Sequence, residues 1–358
     1  MGTAWNKYMR QPQTMIAVVV ALMAQLIFCT VWMTAYDGVW DRIDQLPIAI
    51  VNEDGAAGER LEENLRAALP YRAVSASKEQ ALLLLDQRAV HLIVTIPEGY
   101  HRDLPAAGQA EKADQASKLH YTMNASNPQM TVSIMKAGVE QMTAQLYRQA
   151  AADIEMIHPV KGMNNQMIPM MLVLASYVGA MLMAMNLHQA SQAIAGSLAR
   201  WQHMGAGTAV TAGAAAFIAA VGTGLIVAFG GQMQGGIISF ALFHFLTILT
   251  FMVFAQMFVA LFGMAGMLMN MAVLSLQLVT SGTVVPRELL GDVYQWIGQL
   301  LPATYAVEGY MNLLFGGAGT EKAAGALGVI LLAGVLLASI VPKGKRQDET
   351  REEARQLA

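Results

Sequence analysis

The chain has 358 residues, of which 55% are hydrophobic and only 13% charged, with a formal net charge of −3. About a quarter of residues are charged in ordinary soluble domains, so this deficit argues against that class and for a membrane protein. The near-neutral balance offers no basic field for nucleic acid, and Cys29, the single cysteine, excludes an intrachain disulfide.

Residues 1–13 carry Lys7, Arg10 and no acid, and Pro12 precedes an apolar run over 14–36. A run of about 20 apolar residues spans the ~30 Å hydrocarbon core and is longer than a signal-peptide core, so it reads as an uncleaved first span. Over 37–165 the composition becomes that of a soluble domain. The run LPIAIV at 46–51, closed by NEDG, reads as a strand and turn. Leu61, Leu65 and Leu69 make one helical stripe, and 71–76 returns as a strand. Ser77 and Gln80 fit a capping box at the start of a helix through Leu85. A strand follows at 90–96, stopped by PEG, and another at 119–123. This β-α-β-α-β order predicts a small α/β domain. From Val132 to Ile157 apolar residues step by three or four, predicting one long helix that Pro159 and Gly162 break.

Five further apolar segments lie at 166–187, 208–229, 237–262, 264–285 and 324–341, making six spans with the first. None contains Asp, Glu, Lys or Arg, which weakens any ion-driven carrier reading, since a coupling ion usually needs a titratable group in the membrane. Small residues crowd 206–216 and 222–224, permitting close helix approach within one chain or across a dimer. Between the last two spans, 281–317 is interrupted by Pro286 and Pro302. Leu290, Val293, Ile297, Leu300 and Leu301 recur at helical spacing there, opposite Glu288, Asp292, Gln295 and Gln299. That pattern predicts a short helix lying in the membrane interface, with Trp296, Tyr305 and Tyr310 at headgroup level. Glu308 stands out, because a carboxylate near the bilayer edge needs water or a partner.

The N-terminal segment, the 187–207 loop and the tail hold eight Lys/Arg and four Asp/Glu, whereas the 37–165 domain and the 286–322 loop hold fourteen and twenty-one. The positive-inside rule then puts both termini in the cytoplasm and the α/β domain outside. No GxxxxGK[ST] loop is present, so energy from ATP has to come from another polypeptide. His91, His101, His120 and His158 lack paired metal-ligand spacing, and no hydrolase motif occurs. No catalytic, cofactor or metal residues are therefore assigned.

One span, an external insertion opening with LPIAIVNEDG, then five spans, resembles the permease subunits of ABC-2 type transporters, and within them the YhgE/Pip (phage infection protein) branch. The resemblance rests on that stretch, on IVTIPEG at 93–99 with Tyr100, and on SGTVVPRELL at 281–290 with LPATYAV at 301–307. It implies an α-helical polytopic membrane protein of the bacterial plasma membrane, with six transmembrane helices, type V ABC exporter-like, and a small extracellular α/β domain between the first and second. The implied division is 1–36 for an N-terminal elbow and first helix, 37–165 for the α/β domain, 166–342 for five helices including external re-entrant helices at 286–317, and 343–358 for a cytoplasmic tail. It also implies a homodimer or heterodimer served by a separate cytoplasmic ABC ATPase and moving a drug- or lipid-like amphiphile outward. Ala199, Arg200, Trp201 and His203 would form the ATPase-coupling loop; Pro286, Arg287, Glu288, Trp296, Pro302, Tyr305 and Glu308 would form an external gate. The rival expectation is a membrane-anchored surface receptor or secretion-system scaffold with no transport of its own.

Overall fold

The computed structural model describes residues 26–27, 30–32, 34–100, 118–147, 154–193 and 200–340. The basic segment with Lys7 and Arg10, most of the expected first span, Ala199 and the tail lie outside them. Where 26–35 is described it is helical.

The α/β unit is built on strands β1 (Pro47–Asn52), β2 (Arg72–Ser75), β3 (Leu92–Ile96), β4 (His120–Asn124) and β5 (Ile154–Ile157), in the order β2-β1-β3-β4-β5. β1 pairs in parallel with β2 and β3, β3 pairs antiparallel with β4, and β4 runs parallel to β5. β1 is apolar from Pro47 to Val51 because both of its faces are covered. Ile48 and Ile50 enter a core with Leu65 of helix α1 (Glu59–Ala68) and with Met135 and Val139 of a third helix, α3 (Gln129–Tyr147). Ala49 and Val51 meet Ala81 and Leu85 of α2 (Lys78–Asp86) on the other face. The capping box stands: Ser77 Oγ accepts from the Gln80 N–H and Gln80 Oε1 from the Ser77 N–H, each at 3.3 Å. The single long helix expected to reach Ile157 does not form. α3 is assigned only to Tyr147, and Ile154–Ile157 is a strand. A run of isoleucines spaced by three fits either state, and a free edge on β4 decides for the strand.

Among the described residues four long apolar helices follow: α4 (Gly162–Ala193), α5 (Arg200–Ala228), α6 (Ile237–Phe262) and, after three shorter ones, α10 (Thr320–Ile340). Each contains a stretch long and apolar enough to cross a membrane. The fifth expected span is shortened to α7 (Gly266–Thr280), whose 15 residues rise only about 22 Å. The chain turns at Gly282 in left-handed backbone and cannot continue as helix through Pro286. α6 is the hub, packing against α4, α5, α7 and α10. Its Phe251 meets the Tyr177 ring edge-on at 5.4 Å, and Asn270 of α7 accepts from the Tyr177 hydroxyl at 3.0 Å.

Between α7 and α10 lie two short helices, α8 (Asp292–Leu300) and α9 (Pro302–Phe315). α8 is amphipathic, with Val293, Trp296 and Leu300 exposed. α9 is not interfacial: nearly every residue is buried among α4, α6, α7 and α10. Tyr310, expected at headgroup level, is fully buried, and its hydroxyl lies 2.7 Å from His244 Nδ1 of α6. What allows this depth is Gly309, where any Cβ would collide with the Phe243 ring.

Candidate functional site

The α/β unit and the helix pair α8–α9 meet in a polar joint whose centre is set by the end of α2. That helix closes in a Schellman turn: the Ala89 N–H donates to the Leu84 carbonyl at 2.8 Å and the Arg88 N–H to the Leu85 carbonyl at 3.1 Å. The turn needs left-handed backbone at position 88, where glycine is usual, yet arginine stands there at φ 56°. An L-residue in that conformation costs about 1–2 kcal/mol, so the side chain has to return something. Arg88 Nη1 donates to Asn312 Oδ1, and Nη2 donates to Ser126 Oγ at 2.5 Å and to the Gly316 carbonyl at 3.1 Å. The guanidinium therefore sits on the C-terminus of α9, where unsatisfied carbonyls and the helix dipole favour a cation.

Around it the polar groups are tied down. Asn124 Oδ1 accepts from the Ser126 N–H at 3.0 Å and from its hydroxyl at 2.7 Å. Asn312 Nδ2 donates to the Ala318 carbonyl at 3.0 Å. Burial draws the Arg88 pKa down to about 10, with Glu308 and Asp86 opposing that shift, so the group stays charged at neutral pH. His158, in the link from β5 to α4, is likewise left-handed at φ 51° and places Nε2 2.7 Å from Asp86 Oδ1. Among the described residues these are the two non-glycine positions with positive φ, and both belong to this joint. Left-handed strain concentrated at one place marks a position whose side chains matter more than backbone comfort.

A second contact lies across the sheet. Val285, Leu289 and Leu290, before α8, are buried in the core with Leu46, Ile48 and Leu92. Arg42 Nε donates to the Leu289 carbonyl at 2.6 Å, and Gln295 Nε2 to the Leu290 carbonyl at 2.9 Å. His91 Nε2 stands 3.8 Å from Glu288 Oε2, an ion-pair distance beyond hydrogen-bond reach. On the other side of the ring, Asn127 Nδ2 lies 3.3 Å from His91 Nδ1. Burial works to raise the Glu288 pKa, but His91, a backbone N–H and Arg287 outweigh it and hold the carboxyl at about 2. The Thr34 and Tyr294 hydroxyls, 2.5 Å apart, tie the end of the first helical segment to α8.

The seven residues expected to form a gate do not form one cluster. Pro286, Arg287 and Glu288 make the turn that docks on the sheet. Trp296 points away from the protein, 62% exposed. Pro302 starts α9 and is buried, while the Tyr305 hydroxyl donates to the Gln299 carbonyl at 2.8 Å. Glu308 is half-buried and acts electrostatically on Arg88, which gives the conspicuous carboxylate its counter-charge. Arg88, Asp86, Ser126, His158 and Asn312 escaped sequence reading, although a lone carboxylate on an apolar helix was a signal to look for a distant cation. Of the expected ATPase-coupling loop, Arg200, Trp201 and His203 are helical where α5 is described, and Ala199 lies outside the described residues. Among the described residues no cluster of His, Cys, Asp and Glu could hold a metal ion.

Comparison with known proteins places this geometry in context. The model of a family described as "ABC-2 family transporter protein" matches residues 13–341. The "Uncharacterized protein YhgE" of Bacillus subtilis (strain 168) is 27% identical over 155 residues, which cover 40% of this chain and 20% of that protein. The match thus spans about a fifth of the relative's length. No solved structure matches.

Proposed function

The chain belongs to the ABC-2 family of transporter proteins, and from that premise we propose that it is the permease subunit of an ATP-driven exporter moving an amphiphilic, drug- or lipid-like substrate outward. The family makes it a multi-pass membrane component that works with an ATPase. In this reading the membrane is the bacterial plasma membrane, both termini are cytoplasmic, and two permeases pair as a homodimer or heterodimer. Six helices cross, the first within 14–36 and the fifth formed by α7 with the turn after it. The α/β unit of 37–165 stands outside, α8 lies in the outer interface, and the segment with Ala199, Arg200, Trp201 and His203 docks on the ATPase.

The observation that carries the proposal is the Arg88 joint. The guanidinium binds the C-terminus of α9, a helix buried among four membrane helices, to the edge of an α/β unit. A tether of a mere receptor has no need to strain its backbone to reach into the helix bundle. In an exporter this connection lets α9 act as an outer gate whose position depends on the α/β unit. The test is to purify the chain with an ABC ATPase that co-purifies with it, reconstitute both in vesicles, and follow ATP-dependent movement of an amphiphilic dye. Transport is expected to require both chains, and Arg88→Ala to lower it without loss of ATPase binding. A chain that neither binds nor stimulates the ATPase overturns the reading. Should function instead consist of capturing a protein and vanish with residues 37–165, the surface-receptor reading replaces it.

A further inference from the structure

Both ends of α9 are completed by side chains from other elements. At the C-terminal end Arg88 supplies a charged donor from the α/β unit. At the N-terminal end the cap position is Leu301, which has no side-chain acceptor, and Pro302 at the first helical position has no N–H to satisfy. The first free donor is the Ala303 N–H, and it is taken by Gln277 Oε1 of α7 at 3.2 Å. We propose that Gln277 is a positioning residue, a latch that holds the N-terminal end of α9 seated against α7; the proposal rests on the reading of α9 as an outer gate.

The neighbouring polar groups are committed elsewhere. Thr304 Oγ1, in the first turn of α9, donates to the Gly298 carbonyl of α8 at 2.6 Å, so that hydroxyl ties α9 to the helix before it. A Cβ at Gly298 would stand 3.0 Å from Thr280 Cβ, which puts the α8–α9 corner on the end of α7. Thr280 and Ser281 donate back into their own helix, to the Leu276 and Leu278 carbonyls at 2.8 and 3.0 Å. Gln277 is the polar side chain of that turn that crosses to α9. It is fully buried, and its Nε2 has no acceptor among the described residues. The Tyr177 hydroxyl of α4 stands close by but outside hydrogen-bond geometry, and donates to Asn270 Oδ1 at 3.0 Å. The bond to Ala303 thus satisfies one buried donor while another stays unsatisfied, which adds little net stability to the fold. The two ends of α9 also differ in strength. Hydrogen bonds from a charged donor are roughly twice as strong as neutral ones. Arg88 makes them to Asn312 and Gly316, whereas Gln277 makes a neutral bond at 3.2 Å. The N-terminal end is therefore the one that lets go, and one weak bond is what a gate can break on each cycle.

The test follows α9 directly in the full chain in lipid nanodiscs, carrying Cys29→Ser and Ala306→Cys, the latter at a fully buried position of α9. A membrane-impermeant maleimide reaches that thiol only when α9 leaves its seat. Gln277→Leu strands the Ala303 N–H unless water reaches it, and is expected to speed labelling roughly five- to tenfold, the factor that loss of one neutral hydrogen bond gives. Gln277→Glu keeps an oxygen at the same place and is expected to restore the native rate; Gln277→Met is the second variant should the leucine chain fail to assemble. Ala323→Cys, buried at the start of α10, reports general loosening and is expected to stay protected in every variant. Equal labelling of Ala306→Cys with and without Gln277, a glutamate variant as fast as the leucine one, or a matching rise at Ala323→Cys overturns the proposal. These readouts need no ATPase, so failure of the exporter reading shows separately, as absence of ATP-dependent transport by the native pair of chains.

Discussion

His158 Nε2 and Asp86 Oδ1 lie 2.7 Å apart, and their bond joins the end of the sheet's last strand to the end of α2. His158 adopts left-handed backbone to make it. Asparagine tolerates that conformation, so His158→Asn is expected to keep the turn while losing the contact with Asp86. His158→Ala loses both, and is expected to be the less stable by about 1 kcal/mol. Thermal denaturation of the two detergent-solubilised variants measures the difference.

Arg88 separates backbone strain from side-chain purpose. Arg88→Ala keeps the left-handed penalty and strips the C-terminus of α9 of its charged donor, an expected loss of about 2–3 kcal/mol. Arg88→Gly relieves the turn and is expected to recover about 1 kcal/mol of that. Both variants are expected to lose transport equally, because the link to Asn312 and Gly316 is gone in each. Paired melting and vesicle-transport measurements check this, and a functional Arg88→Gly would mean that the turn alone matters.

Glu288 gives the joint a pH signature. Its carboxyl is held at about 2 against an ordinary 4.5. A depressed folded-state pKa means that the ionised form favours the folded state. The contribution is therefore complete above about 4.5 and fades as the pH falls toward 2. Protection factors of the backbone amides in 285–291, taken relative to intrinsic exchange at each pH, are expected to fall as the pH drops through that window in the native chain and to lose this dependence in Glu288→Gln.

Gly316 has two reasons to remain glycine. Its φ is 95°, and a Cβ would stand 2.5 Å from His158 Nδ1 and 2.7 Å from Gln234 Oε1. Gly316→Ala is expected to cost well over 1 kcal/mol and to shift the protein from a monodisperse peak to aggregate on fluorescence-detected size exclusion. Gly325→Ala, on α10 where a Cβ meets open space, is the control and is expected to behave as the native chain.

Glu308 is the residue that sequence alone made conspicuous. Its removal leaves Arg88 with Asp86 as the remaining opposing charge. Glu308→Gln is expected to lower transport several-fold while leaving ATPase binding intact, as measured by co-purification. Unchanged transport and ATPase stimulation would reduce 281–317 to a passive anchor.

The parts of the fold governed by local rules were readable in advance. Four strands, the capping box at Ser77 and the apolar helices follow from period and turn chemistry within a few residues of each other. The fifth strand was not, because Ile154 and Ile157 suit a helix as well as a strand and only pairing with β4 decides. Nor was the depth of α9, since an apolar helix with two tyrosines and a glutamate looks interfacial until Gly309 and His244 give it a place inside. The joint itself was hidden for a simple reason. Arg88 and Asn312 are 224 residues apart, and nothing in the local sequence of either distinguishes it from an ordinary solvated side chain.

The α/β unit is fastened to the helices at the Arg88 cluster, at the Leu289 turn and where Gln166 of α4 meets Gln129 of α3. A body pinned at three separated points cannot swivel, so the α/β unit is a rigid handle on α8 and α9. An antibody fragment raised against its free face would then move in register with those helices, and the angle of that fragment in single-particle images would read out the tilt of α9 directly.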